Sequence, residues 1–290
     1  MVLMVPEPPV DPVDASVFRR TLGGAESNVA ITLSRLGAQA SWHSALGDDA
    51  FGHYIADHVR QQGVQCHVRH DSDRVTALYL KEIRESGTTV RYYRKESAAS
   101  QLTSEDADAL LRTTPRVVHT TGITPWLSET NHATIQQLWK RCGASSVKSF
   151  DVNFRPALHT ADAAPALQAL ANSSDIVFCG DDEAAHLWGT STAQDVRQVL
   201  NGPQLLIVKH GAHGASVFTP AGAHFEPART VEVVEVVGAG DALASGFLFG
   251  HLQGLEPQHS LALGTELAAR AVQITGDLPD VEPLPSIGQD

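Results

Sequence analysis

Residues 236–250 read Val236-Val237-Gly238-Ala239-Gly240-Asp241-Ala242-Leu243-Ala244-Ser245-Gly246-Phe247-Leu248-Phe249-Gly250. A β-branched run, Val231 to Val237, leads into a tight glycine turn, and an apolar-periodic helix follows. Glycines let backbone N–H groups converge without a Cβ in the way. The helix that begins near Gly240 points its positive end at the same spot. Turn and helix end together make an anion site, suited to a phosphate or to charge developing on a phosphoryl group. Asp241 falls in the first helical turn, where its carboxylate can serve as base for a substrate hydroxyl. The same residues also fit a plainer reading, in which Asp241 caps a buried helix and the glycines only make a turn. The rest of the chain decides between the two.

Outside this stretch, strands and helices alternate. Met1 to Val5 reads as a strand, followed by a proline-rich connection to Asp14. Gly23-Gly24 opens a helix over Ala25–Leu36, with Gly37 at its end. A strand over Ala40–Leu46 leads to Asp48 or Asp49 as cap of a helix that ends at Gln62. Three β-rich runs follow with no helix between them: Val64–His70, Val75–Ile83 and Thr88–Arg94, with a hairpin turn at Glu85-Ser86-Gly87. They predict a small antiparallel insert. Alternation then resumes. Thr103 with Asp106 resembles a capping box. Strands at 116–120, 147–152, 175–179 and 204–209 are separated by helical segments, and two helices close the chain. This pattern predicts an α/β fold with a parallel, doubly wound sheet and right-handed crossovers.

In such sheets ligands bind beyond the carboxyl ends of the strands. The polar and glycine-rich clusters fall there: Gly47-Asp48-Asp49, Thr121 to Pro125, Asp151 to Arg155, Asp181-Asp182-Glu183, Lys209 to Gly214, and Gly238 to Asp241. One edge of the sheet therefore collects nearly all the candidate chemistry, whichever single motif is trusted.

The totals narrow the function classes. The formal net charge of −12 argues against non-specific binding to nucleic acid or anionic membranes, so an anionic substrate needs a local basic pocket. Cys66, Cys142 and Cys179 are far apart and form no C-x-x-C, which suggests neither a disulfide framework nor a zinc site and fits a reducing cytoplasm. No signal peptide or stretch of transmembrane length stands out.

Strand parity places Tyr92 and Arg94 on one face of the insert, with Arg91, Tyr93 and Lys95 on the other. A Tyr/Arg face suits a small carboxylate, which guanidinium binds through two parallel hydrogen bonds; a solvated edge strand would look alike. Arg155, at the ligand edge of a core strand, tips the balance toward an anionic substrate. Glu183 opens a helix directly after a strand, where it can orient metal-bound water near phosphates. Its neighbours Asp181 and Asp182 suit the helix dipole. Lys209-x-Gly-x-x-Gly can wrap a nucleotide but is a weak signal alone. No G-x-x-x-x-G-K-[ST] occurs. Leu243 stands where the third glycine of a dinucleotide fingerprint belongs, which counts against a nicotinamide dehydrogenase.

These residues resemble a known family. Gly23-Gly24-Ala25-Glu26-Ser27-Asn28-Val29-Ala30, followed by Leu36-Gly37, is similar to the first signature of the ribokinase-like (PfkB) carbohydrate kinases. Gly238-Ala239-Gly240-Asp241 with Gly246 is similar to their second. The resemblance covers nearly the whole chain. It implies one kinase domain over 1–290 with a three-layer α/β core, a β-sheet lid over 64–95 joined by part of 1–22, and the use of ATP and Mg²⁺. Within the family, Tyr92-Tyr93-Arg94-Lys95, Gly122-Ile123-Thr124-Pro125 and Asp151-Val152-Asn153-Phe154-Arg155 resemble the kinases of 2-keto-3-deoxygluconate. By that likeness Gly24, Asn28, Tyr79, Tyr92, Arg94, Ile123 and Arg155 contact the sugar acid. Asp241 matches the catalytic base, and the glycine turn Gly238-Ala239-Gly240 matches its anion hole. Lys209, Gly211 and Gly214 match nucleotide-side positions, with Gly238 and Gly240. Glu183 matches a metal-water position.

The sequence also departs from the pattern. Gly180 stands in place of the usual Asn, so placement of the metal water is less defined. Glu235-Val236-Val237 replaces a common Asp-Thr pair, which puts a monovalent-cation site in doubt. Relatives begin with a further strand ending in Gly-Glu. Met1 to Val5 matches the segment after it, so the resemblance implies a core sheet with one interior strand missing and a less stable or less soluble protein that an upstream extension would strengthen. A neutral sugar or nucleoside as substrate, and a non-catalytic sugar-acid sensor, are the alternatives. The lid sheet is where a second copy would pair.

Overall fold

A computed structural model describes residues 1–84, 87–143, 146–160, 162–274, 276 and 278–281. The hairpin turn expected at Glu85-Ser86-Gly87 falls largely outside the described residues.

The main sheet has six strands: β7 (Val117–Thr121), β8 (Val147–Asp151), β9 (Ile176–Gly180), β10 (Leu205–Lys209), β11 (Gly214–Thr219) and β12 (Gly222–Pro227), ordered β12-β11-β10-β9-β8-β7. β7 to β10 are parallel, as the alternation with helices requires. β11 and β12 continue antiparallel, as hairpins. In β9 every residue is buried, and the two-residue period sends alternate side chains to opposite layers. Ile176 and Phe178 pack with Val29 of α1 (Ala25–Arg35) and with Leu243 and Phe247 of α9 (Ala239–Leu252). Val177 and Cys179 face the layer that holds Ile135 and Leu138 of α5 (Glu129–Arg141) and Leu167 of α6 (Ala163–Asn172). The result is the three-layer α/β core expected from the sequence.

α9 carries the decisive stretch. Ala242 to Gly250 are all buried, so this helix is apolar on every side and lies inside the molecule. It packs on α10 (Pro257–Ala271) so closely that a Cβ on Gly246 would lie 2.7 Å from Gly264 Cα. Gly246 is therefore fixed by packing, not by chemistry.

Two smaller sheets stand apart. β3 (Ser41–Gly47) and β4 (Gln65–Asp71) form a parallel pair joined by α2 (Ala50–Gln61). β1 (Val2–Pro6), β2 (Phe18–Leu22), β5 (Leu78–Arg84) and β6 (Gly87–Tyr93) form the lid sheet, ordered β2-β1-β5-β6. This corrects one expectation: the run Val64–His70 belongs to β4, beside β3, and not to the insert. β1 does lie in the lid sheet and outside the main sheet. Among the described residues β3 pairs with β4 and β7 with β8, and no ladder joins β3 to β7. A cavity of about 1040 Å³ separates them and opens into the ligand edge. Its lining includes Trp42 and His43 of β3, Val118 and His119 of β7, Leu33 of α1, and Ile135 and Leu138 of α5.

Candidate active site

The site gathers at the carboxyl edge of the main sheet, under the lid. α9 begins at Gly238, whose φ of 84° lies in the left-handed region that a side chain disfavours. Val231–Val237 forms no strand. It is an irregular segment with a bend at Val234, held by Val272 O, which accepts from the N–H groups of Val234 and Glu235. The first N–H groups of α9 have no acceptor inside the helix, Ala239 N reaching only Val236 O at 3.4 Å, and such a turn suits an anion. A Cβ on Gly240 would meet only Lys209 Nζ, at 3.7 Å. An ammonium thus stands beside the anion cradle.

Asp241 accepts a hydrogen bond at Oδ2 from Asn28 Nδ2, at 2.8 Å and 213 residues away in sequence. The two signatures read from the sequence meet in this bond. Asn28 is buried, and its Oδ1 has no partner among the described residues.

Lys209 Nζ lies 2.9 and 3.1 Å from the two carboxylate oxygens of Asp151, and 3.7 Å from Glu183 Oε2. Burial opposes the lysine's charge. Asp151, then Glu183, outweigh it and hold the ammonium above its ordinary pKa. Glu183 Oε1 accepts from Phe154 N at 2.9 Å and Oε2 from Gly180 N at 2.6 Å, so this carboxylate ties the starts of two loops together. Just after β8, Asn153 takes a left-handed φ of 43° and buries an Oδ1 that has no partner among the described residues. Backbone strain beside an orphan acceptor is a mark of a ligand site.

Another wall of the cavity comes from the lid and α4 (Ile123–Trp126). Tyr79 and Tyr92 are register partners whose rings stack at 5.6 Å. Arg94 places its guanidinium 4.3 Å above the Tyr92 ring. The Arg94 guanidinium makes no hydrogen bond or ion pair among the described residues, while its backbone O accepts from Ser97 N at 3.3 Å. Burial lowers its pKa, with Tyr92 opposing and the charge of Arg155 adding to the fall. Arg155 donates to Phe154 O at 2.9 Å and lies 3.8 Å from Glu183 Oε1. Two arginines thus line one cavity, with Glu26 the carboxylate whose charge acts on Arg94, and such a pair suits an anion.

Gly24, Asn28, Tyr79, Tyr92, Arg94, Ile123, Arg155, Glu183, Lys209, Gly238, Gly240 and Asp241 all line the same cavity. Ala239, Gly211 and Gly214 do not; Gly211 lies on the turn between β10 and β11, and Gly214 is the first residue of β11. Sequence reasoning gave no role to Glu26, Asp151 or Asn153, although all three stood inside the quoted motifs. Glu26 Oε1 accepts from Thr121 N, Thr121 Oγ1 and Thr124 Oγ1 at 3.2, 2.8 and 2.7 Å, which pins the segment carrying Ile123.

Residues 2–283 match the pfkB family carbohydrate kinases. The chain belongs to that family, and it is a sugar kinase. The kinase is 35% identical over 285 residues to a 2-dehydro-3-deoxygluconokinase of Bacillus subtilis, covering 94% of this chain and 88% of the relative. It is 33% identical over 279 residues to one of Thermoproteus tenax, covering 93% and 84%. The crystal structure of a PfkB protein from Polaromonas sp. JS666 superposes with a TM-score of 0.87 at 34% identity, covering 94% of this kinase and 93% of that chain. No helix among the described residues is long and apolar enough to cross a membrane.

One pH dependence follows from the part of the cavity lined by β7. His119 Nδ1 bonds to Ser149 Oγ at 2.9 Å, and its Nε2 is buried without a partner among the described residues. Burial, opposed by Glu26 and reinforced by Lys209, pushes its pKa down to about 4 from 6.5. The folded state refuses a proton that the unfolded chain accepts, so stability falls as pH drops from 6.5 toward 4. His119→Asn is expected to flatten part of that fall, by on the order of 2 kcal/mol. Urea midpoints at neutral pH and near the acid end of this window would show it. A variant as acid-sensitive as the wild type would remove His119 from the account.

Proposed function

We propose that this kinase transfers the γ-phosphate of ATP to the terminal hydroxyl of a small sugar acid, with 2-keto-3-deoxygluconate (2-dehydro-3-deoxygluconate) as its substrate. The observation that carries the reading is Arg94, a half-buried guanidinium without an ion pair, sharing its cavity with Arg155 and the Asn28–Asp241 pair. The names of the relatives that cover most of the chain support the same substrate.

Arg94 and Arg155 hold the carboxylate end through charge-assisted hydrogen bonds. Tyr79 and Tyr92 cover the carbon chain. The terminal hydroxyl then reaches Asp241, whose Oδ2 is fixed by Asn28 and whose carboxylate takes the proton as the hydroxyl attacks. The turn amides at Ala239 and Gly240 and the Lys209 ammonium face the charge that grows on the transferred group. Phosphoryl transfer needs little else from a protein than positioning and electrostatics. Lid closure excludes water and limits idle hydrolysis.

The oxygens of Glu183 and Asn153 fit Mg²⁺, which favours few carboxylates and keeps its waters and the phosphates. Glu183 would hold it through water, and the ion would supply Lewis-acid charge at the phosphates. The monovalent cation fits less well. Lys81 Nζ lies 2.5 Å from Glu235 Oε1, both side chains 15% exposed, so an ammonium already supplies the positive charge ahead of the glycine turn.

A coupled ADP-release assay across a panel of sugar acids and neutral sugars tests the reading. Arg94→Ala and Arg155→Ala should each weaken sugar-acid binding by roughly 1.5–3 kcal/mol, the range for hydrogen bonds to charged groups. Neutral sugars should be little affected. Equal losses for both classes, or preferred turnover of a neutral sugar, would overturn the sugar-acid assignment.

A further inference from the structure

A second constellation lies away from the cavity, at the root of the lid. Asp48 follows β3, His53 lies in the first turns of α2, and His70 lies near the end of β4. Each offers one donor atom, and the three atoms lie within 4.8 Å of one another. His53 Nε2 and Asp48 Oδ1 are already 3.1 Å apart, close to the ligand–ligand spacing of a tetrahedral ion with bonds of about 2.0–2.2 Å. The rings of His53 and His70 stack with centroids 4.9 Å apart and planes 28° from parallel. All three side chains are exposed.

The backbone beneath them is tied together. Asp48 N donates to Asp71 O at 2.8 Å, which joins the first ligand to the strand that bears His70. His53 N donates to Asp49 O at 3.0 Å, and Asp49 Oδ1 caps α2 by accepting from Gly52 N at 2.8 Å. Three ligands from three elements thus stand on one hydrogen-bonded frame, which is what a site needs before its ion arrives.

We propose that Asp48, His53 and His70 bind a divalent transition-metal ion of the zinc or nickel kind. Two imidazoles with one carboxylate select such ions over magnesium and calcium, which prefer all-oxygen shells. The consequence reaches the lid. Gly47 N donates to Thr76 Oγ1 at 2.9 Å, and Thr76 N donates to Asp49 Oδ2 at 2.7 Å, so the loop that carries Asp48 also holds the residue that leads into β5. An ion here clamps the lid's root without touching sugar or nucleotide.

The test is calorimetric titration of the EDTA-dialysed full chain with zinc, nickel, magnesium and calcium chlorides, together with thermal melts. Wild type should bind one zinc or nickel ion and melt about 5 °C higher at a free ion concentration 100-fold above Kd. Magnesium and calcium should not reproduce the rise. Asp48→Asn and the double variant His53→Gln/His70→Gln should lose on the order of tenfold or more in affinity and keep wild-type turnover in zinc-free magnesium buffer, which shows them folded. A zinc-induced rise that survives in the double variant, or one that magnesium matches, or no rise in the wild type, would overturn the site.

Discussion

Asp241→Asn is expected to lower kcat by about 10²–10⁴-fold, the usual contribution of a positioned general base. The substitution is nearly isosteric. Asn28 Nδ2 now donates to Asp241 Oδ2, and an amide oxygen at that position can accept the same bond. The first turn of α9 and its packing on α10 should therefore survive. What is lost is the second oxygen, which becomes an NH₂ that cannot take the hydroxyl proton. Melting temperature and ATP affinity should stay near wild type while turnover collapses. Turnover within tenfold of wild type would refute the assignment of Asp241 as base. A collapse accompanied by unfolding would point instead to the plainer reading, in which the aspartate only supports its helix.

What the sequence made legible was local. The capping box of Thr103 and Asp106 is present, with Asp106 Oδ2 accepting from Thr103 N at 2.8 Å, because caps are written within four residues. The alternation of strands and helices gave the core sheet for the same reason. The two signatures, 213 residues apart, became one site only through the bond between Asn28 and Asp241. Failures lie where a distant partner decides. The run at β4 has the texture of the lid strands that follow it. Only its parallel register with β3, Ser41 opposite Gln65 through Gly47 opposite Asp71, moves it elsewhere. Val231–Val237 has strand-forming composition but no partner strand, and Val233, Val234 and Val236 remain more than half exposed. The short helix α4 contains Pro125, which local rules read as a breaker; it lies in the first turn, where the missing N–H costs nothing. Asp151 and Lys209 looked like a strand end and a loop start. Their pairing across 58 residues is invisible until β8, β9 and β10 stand side by side.

That pairing carries the second large effect. Lys209→Met should destabilise the protein by about 3–5 kcal/mol, the cost of stranding a buried partner charge. Asp151 has a side chain only 2% exposed, against 18% for Lys209, so water cannot replace the lost ammonium. The loss should be steady through neutral pH. Lys209 has a folded pKa raised above 10.5, so its contribution is complete below that value and fades only as pH rises through the higher folded pKa. A second substitution separates structure from chemistry. Lys209→Met/Asp151→Asn removes the stranded charge and keeps an acceptor for Asn153 N, which now donates to Asp151 Oδ1 at 3.1 Å. The double variant should recover most of the stability, because a buried ion pair and its neutral replacement often differ little. On the proposed mechanism it should not recover turnover, since the positive charge beside Gly240 is gone. Urea midpoints and kcat for wild type, both single variants and the double variant complete the cycle. A double variant no more stable than Lys209→Met would assign the loss to packing of the lysine stem. One that regains near-wild-type turnover would leave Lys209 a purely structural residue, and would shift the stabilisation of the transferred group onto the glycine-turn amides alone.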